Sequence, residues 1–397
     1  MTPPAKRAER LALTRNFKMA RSPHAYVRGS TVKFYEWLQA DVSGSIPEGP
    51  PVWICGDCHV GNLGPLADLK GRVAVQIRDL DQTVIGNPAH DLIRLGLSLA
   101  SAARGSNLPG VTTAHILEHL MIGYEAAMDG EFGRDEEKAL RPRQIRGLLD
   151  RSVRRRWRHL AAERLDTVKP MVPLGKRFWA LKREERAALE ALFQEEAVKA
   201  ALTRLQSRDA GDPVTMVDAA YWMKGCSSLG RLRFAALIRI GEGAEASFCL
   251  VDLKEAVTAA APRNPDAKMP RDNAARVVAG AKALSPNLGD RMVAVRLLDT
   301  PVVMRELMPQ DLKLEVDRLT RDKGTALAAY LGGVVGKAHG RQMTAEARQS
   351  WKQELQRRRP TQVDVPNWLW SSVVDLLGIH ERAYLEHCRV YALAQAA

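Results

Sequence analysis

The chain has 397 residues and a formal net charge of +13. Its apolar content of 46% and charged content of 26% suit a globular protein with a sizeable core and argue against a disordered or fibrous chain. No apolar run reaches the ~18 residues of a membrane span, and no leader-like apolar stretch opens the sequence, so a cytoplasmic protein is expected.

Five cysteines, an odd number, point to reduced thiols. Cys55 and Cys58 form a C-x-x-C, but no second pair follows at zinc-site spacing. The positive balance favours anionic partners: nucleotides, phosphorylated metabolites or nucleic acid. Part of it is concentrated in the arginine-rich stretch 142–165, a possible nucleic-acid contact without any zinc-finger or RNP-like pattern around it.

In chain order, 23–41 reads as a helix and "PVWIC" (51–55) as a strand that runs into the turn "GDCHVGNLG" (56–64). "RVAVQI" (72–77) reads as a second strand and ends at "RDLDQT". Residues 89–103 and 114–127 have helical periodicity. Residues 131–212 are charged and helical, interrupted by "PMVPLG" (170–175), and read as a helical insertion or linker. From 213 the pattern turns to strands: 231–240 and 246–256 form a hairpin, followed by 292–298 and 301–307. Residues 320–397 are mostly helical. The expected class is α+β and helix-rich. The division is a catalytic-loop part over 1–130, the insertion over 131–212, a small β-rich lobe over 213–319, and C-terminal helices packed on the helical lobe.

The polar residues of the first turn carry the chemistry. Asp57 and Asn62 stand five apart at a strand exit. A carboxylate there can orient a hydroxyl nucleophile while an amide oxygen five residues on ligates a divalent cation. His59 can hold the loop by hydrogen bonds. Asp79 and Asp81 leave the second strand, so two neighbouring strand ends would present Asp57, Asn62 and Asp79 together. The plainer alternative for each is a polar turn.

These segments resemble aminoglycoside phosphotransferases and choline kinases, relatives of the protein kinases. "GDCHVGN" is similar to their H-G-D-x-H-P-x-N catalytic loop, and "DLDQTVIGNPAHDL" to the metal-binding segment after it. The resemblance places a metal-binding role on Asp79, conserved-type turn residues on Gly86 and Pro88, and a buried bracing carboxylate on Asp91. Cys55 stands where that family has His, and Val60 where it has Pro. Neither departure removes a reacting group.

A phosphate clamp precedes the catalytic loop in ordinary kinases, but here the candidate lies downstream. "KGCSSLGRLRF" (224–234) sets Gly225, Ser227, Ser228 and Gly230 in a pattern similar to G-x-G-x-x-G, and Lys254 in "LVDLKEA" resembles the lysine of the kinase V-A-I-K strand. "VVMREL" (302–307) resembles the hinge strand. The motif order implies a circularly permuted, two-lobed kinase-like fold using ATP and Mg²⁺. Kinases pair the strand lysine with a glutamate on the next helix, and "RDNAARVVAGAKAL" has none, only Asp272 at its start. Arg28 is expected to pair with a buried aspartate or, alternatively, to reach a phosphate. His339 is expected to be a packed helix histidine.

The chain as a whole also resembles the bacterial domain-of-unknown-function 2252 family, through landmarks from "RSPHAYVRG" (21–29) to "KAHGR" (337–341). The expected activity is phosphoryl transfer from ATP to an unknown small-molecule or protein hydroxyl acceptor. The alternatives are a nucleotide-binding pseudokinase or AMP transferase on the same scaffold, and a basic nucleic-acid-associated scaffold.

Overall fold

The computed structural model describes residues 6–40, 46–165, 171–205, 207–225, 229–243, 246–314, 319–357 and 365–391. Three helices open the chain: α1 (Arg7–Met19), α2 (Pro23–Gly29) and α3 (Thr31–Gln39). The Ser22 hydroxyl accepts from the Ala25 amide at 3.1 Å, and Pro23 fills the first helical position, which fixes the start of α2. The single helix expected over 23–41 is split at Ser30, whose backbone (φ −115°, ψ 42°) leaves the helical region. The break lets Phe34, Tyr35, Trp37 and Leu38 of α3 enter the core.

Two short antiparallel ladders follow. β1 (Val52–Ile54) pairs with β4 (Val84–Gly86), and β2 (Leu63–Ala67) pairs with β3 (Val73–Ile77). The loop leaving β1 and the loop leaving β3 are thereby set side by side. Behind them lie α4 (Ala89–Gly105) and α5 (Gly110–Met128). α5 packs on α13 (Arg321–Gly340) with backbones nearly touching: a Cβ on Gly123 would fall 1.8 Å from the Ala329 carbonyl oxygen. α14 (Ala345–Arg357) and α15 (Asn367–Tyr391) complete the helical part, and Leu369, Val373 and Leu376 of α15 join its core.

The second part is built on a six-stranded antiparallel sheet of order β5-β6-β7-β8-β10-β9. Its strands are β5 (Phe178–Trp179), β6 (Val214–Trp222), β7 (Arg233–Ile240), β8 (Ser247–Glu255), β9 (Met292–Leu297) and β10 (Thr300–Leu307). α11 (Asn273–Leu284) and the single turn α12 (Pro286–Gly289) connect β8 to β9.

Residues 131–212 contain α6 (Arg134–Leu140), α7 (Arg143–Val153), α8 (Trp157–Leu165), α9 (Arg183–Leu192) and α10 (Glu196–Leu202) as well as β5. The segment is helical as expected, but it contributes to the core. Leu189, Leu192, Phe193 and Val198 cover one face of the sheet, while Leu160, Ala161 and Leu165 cover the other. Buried on both faces, β7 is almost continuously apolar, which is why no alternation marks it in the sequence. The molecule is mixed α+β and helix-rich, as the sequence implies.

Candidate functional site

The turn after β1 is held from behind by one buried carboxylate. Asp91, in the first turn of α4, accepts from the Cys55 amide at 2.7 Å and the Gly56 amide at 2.9 Å. Gly56 has φ +74°, and a Cβ there would fall 2.2 Å from the Gln82 carbonyl oxygen. Its own carbonyl accepts from the Tyr35 hydroxyl at 2.5 Å. His339 Nε2 lies 3.2 Å from Asp91, and its Nδ1 lies 3.1 Å from the Tyr124 hydroxyl. Trp351 donates to that same hydroxyl at 3.0 Å. Facing a carboxylate, His339 Nε2 is placed to donate to Asp91, while Nδ1 faces the Tyr124 hydroxyl. His339 is packed inside α13, as expected, and also braces Asp91.

Asp57 points from this turn into the cleft. Its Oδ1 accepts from Arg94 Nε at 3.0 Å and Nη2 at 2.8 Å, and the same Nη2 reaches the Val27 carbonyl at 2.8 Å. Its Oδ2 lies 4.0 Å from His59 Nε2. Burial raises the Asp57 pKa above the ordinary aspartate value in spite of the Arg94 charge. Asn62, in a short 3-10 turn, donates its side-chain amide to the Asp57 carbonyl at 3.0 Å, which leaves its amide oxygen for a ligand.

Across the cleft, Lys254 of β8 reaches both acids that follow β3. Its Nζ lies 3.3 and 3.4 Å from the two Asp79 carboxylate oxygens and also pairs with Asp81. Burial works against ionisation of Asp79, but the charges of Lys254, Arg305 and Arg233 outweigh it and hold its carboxyl well below the usual range. Burial and the neighbouring Asp79 charge raise Asp81. The lysine thus takes its acid from the loop. Asp272 instead caps α11, accepting from the Ala275 amide at 2.8 Å. In the interior of that helix Arg276 donates to the Asp81 carbonyl at 3.1 Å, the Val257 carbonyl at 2.8 Å and the Thr83 carbonyl. α11 therefore reaches the acidic loop through its backbone.

The cleft face of the sheet is ionic. Arg233 lies opposite Lys254, and Arg305 opposite Asp252. Asp252 is two residues from Lys254 and so shares its face. Arg233 grips the Asp252 carboxylate at 2.9 and 2.6 Å, Arg305 lies at 3.5 Å and Lys224 at 3.9 Å. Burial opposes the charge on Asp252, but Arg233, Lys224 and Arg305 prevail and depress its pKa strongly. Glu255 turns the other way and accepts from the Leu232 amide at 2.7 Å.

Asp57, Asn62 and Asp79 line two adjoining cavities of about 300 and 400 Å³. Asp81 borders the smaller of these, and His59, Arg28 and Gly225 the larger. Gly225 and Gly230 have φ +94° and +102°, values that favour glycine at both ends of the β6–β7 connection. Gly230 lies off both cavity walls, and Ser227 and Ser228 lie outside the described residues. Among the described residues the expected pairing of Arg28 with a buried aspartate is not formed. Its guanidinium packs over Gly61, where a Cβ would fall 2.9 Å from Cζ. Asp57 is paired with Arg94 instead. In the 142–165 stretch, Arg155 donates to the Pro309 carbonyl at 2.6 Å and pairs with Glu163 at 2.5 Å, so part of that basic stretch has internal partners.

Among the described residues no group of three or more His, Cys, Asp or Glu is placed to hold a metal ion. Cys55 and Cys58 are buried free thiols. The Asp79 and Asp81 carboxylates and the Asn62 amide oxygen at the cleft are hard ligands. They fit Mg²⁺, which takes few protein ligands and completes its shell with phosphate and water.

Two ladders, a helical bundle and a six-stranded sheet thus converge on this cleft, and the sequence that builds them matches a bacterial family. The family model for uncharacterized proteins conserved in bacteria (DUF2252) matches residues 7–390, and the chain is a member of it. The match extends beyond the landmarks at 21–341 and takes in the C-terminal helices. No curated protein and no solved structure gave a match. No helix among the described residues is long and apolar enough to cross a membrane.

Proposed function

We propose that the chain is an ATP- and Mg²⁺-dependent phosphotransferase with a circularly permuted, two-lobed kinase-like architecture, acting on a hydroxyl acceptor. One observation carries the reading: the Lys254 ammonium, 175 residues downstream, lies 3.3 Å from the Asp79 carboxylate, beside Asn62 and Asp57. The strand arrangement supports it. Lys254 sits on the third of three consecutive antiparallel strands, after a glycine-bounded turn and before a helix, as the phosphate-binding lysine does in protein kinases.

In this reading Asp57 Oδ2 accepts the acceptor's hydroxyl proton, since Arg94 occupies Oδ1 and fixes the carboxylate. Asn62 and Asp79 would hold Mg²⁺, with Asp81 beside them. The ion would neutralise phosphate charge as the terminal phosphoryl group passes to the acceptor oxygen. Lys254 and the 225–230 connection hold the donor's phosphates. The Asp91–His339 brace keeps the loop at its working distance. Asp57→Asn should keep the fold and lower nucleotide hydrolysis or transfer by about 10²–10⁴-fold. Unchanged turnover would remove Asp57 from this role.

A second reading follows from α11, which carries no glutamate to pair with Lys254. A nucleotide-binding pseudokinase or an AMP transferase on the same scaffold needs no helix glutamate to activate the lysine. After incubation with ATP, acceptor mass gains of phosphate or of AMP separate the two transfer reactions, and binding without turnover marks the pseudokinase.

A further inference from the structure

The two cavities that share Asp57, Asn62 and Asp79 differ in chemistry. Met19, Val32, Ala260 and Tyr391 give the smaller one apolar surface for an organic ligand. The larger one draws its apolar surface from Ala25 and from the aliphatic stems of its charged side chains. Among the described residues its wall carries eight cationic side chains against two carboxylates, and no Leu, Ile, Val, Met, Phe, Tyr or Trp. Both carboxylates already have cationic partners off that wall, Arg94 for Asp57 and Lys254 for Asp79.

The cations converge from separate elements: Lys18 and Arg21 around the end of α1, Arg28 from α2, Arg78 from the loop after β3, Lys224 from the β6–β7 connection and Arg305 from β10. Two of the wall's arginines are fixed in place. Arg305 sits opposite the buried Asp252 and Arg233 grips it diagonally from beside Lys254, so the sheet face is pre-organised. Arg28 is half-buried against Gly61 with no carboxylate recorded as its partner among the described residues. A nucleoside base needs a flat apolar slot with a few edge-directed polar groups. Among the described residues no aromatic or branched aliphatic side chain on this wall supplies one, whereas guanidinium and ammonium groups suit phosphate oxygens.

We infer that the larger cavity recognises its ligand through phosphate charge alone and takes a base-free polyphosphate chain as readily as a nucleoside triphosphate. The inference rests on the phosphotransferase reading for the role of this ligand as donor. The recognition itself rests on the composition of the wall.

The test is calorimetry and thermal shift on the full chain with Mg²⁺ and, in turn, tripolyphosphate, ATP, GTP, CTP and adenosine. Tripolyphosphate and the three nucleotides are expected within about fivefold of one another, a spread of only about 1 kcal/mol. Adenosine should not bind, and affinity should fall steeply with salt. Arg28→Gln should weaken tripolyphosphate by about tenfold, from loss of one charge-assisted contact. The exposed Arg21→Gln should weaken it by about threefold with unchanged thermal stability, so the test survives if the Arg28 variant misfolds. Binding of adenosine, or ATP binding more than about thirtyfold tighter than GTP and tripolyphosphate, about 2 kcal/mol, overturns the inference. So does failure of every phosphate compound to bind. Polyphosphate binding without any transfer would leave the inference standing and remove the phosphotransferase reading. ATP-selective binding with transfer would do the reverse.

Discussion

Asp91 and Asp252 are both fully buried carboxylates behind the cleft, one on the loop side and one on the sheet side. Asp91 is satisfied by two backbone amides and a histidine, whereas Asp252 is satisfied by a guanidinium with two further cations nearby. Backbone donors cannot be mutated away, so Asp91 fixes the position of the turn after β1. Side-chain donors carry net charge, so Asp252 offsets only part of the positive field it sits in. One half of the cleft is organised around geometry and the other around charge.

The sharpest break between the halves is expected at Asp91. Asp91→Ala leaves the Cys55 and Gly56 amides and the His339 ring buried without their acceptor, and should cost about 3–5 kcal/mol by chemical denaturation. No second substitution should rescue it. Asp252→Leu alone should cost a similar amount, about 3–5 kcal/mol, because it strands a buried Arg233 charge. Adding Arg233→Met should restore most of that loss while phosphate binding stays impaired. If the double variant is no more stable than the single, the sheet-side network is geometric too and the contrast fails.

A smaller effect separates Asp57 from ordinary aspartates. Its folded pKa is raised by burial, so stability is lost as pH climbs from the ordinary value through the raised one, while the ionised base is gained over the same interval. The acid limb of a turnover profile should therefore lie above the usual aspartate range. A limb at or below that range would contradict the burial argument.

The smallest expected effect lies in the helical part. His380 of α15 is buried, and burial, assisted by the Arg94 charge, lowers its pKa from 6.5 to about 4. Between those values the unfolded chain binds a proton that the folded chain does not, so stability falls as pH drops from about 6.5 to about 4. Replacing the residue, as in His380→Gln, should flatten that part of a Tm–pH curve by a few degrees. An unchanged curve would assign the acid sensitivity to other groups, His90 among them.

The acidic residues of the cleft were legible because their spacing is local. Asp57, Asn62, Asp79 and Asp91 lie within one stretch of motif, and Lys254 follows a glycine turn in a strand. Their partners were not legible. Arg94 stands on the same helix face as Asp91, three residues on, and a lone arginine inside "DLIRLGLSLA" is a signal that a buried charge needs pairing. The Arg233–Asp252–Arg305 set depends on strand register, which no local pattern encodes. Arg276 reads as one more helix arginine until the loop backbone is laid against it. The break at Ser30 and the core role of 157–202 were hidden for a similar reason, since packing decides both.

The brace behind the turn after β1 also sets a timetable for synthesis. Asp91 and His339 are 248 residues apart, so at 5–20 residues per second a ribosome delivers the second about 12–50 s after the first. Through that interval the emerging chain carries its acidic loop without the histidine that holds it. The sheet-side lysine arrives earlier, yet the cleft it faces has no fixed floor until α13 docks on α5. A nascent chain is therefore expected to be silent toward phosphate ligands until its last helices have emerged.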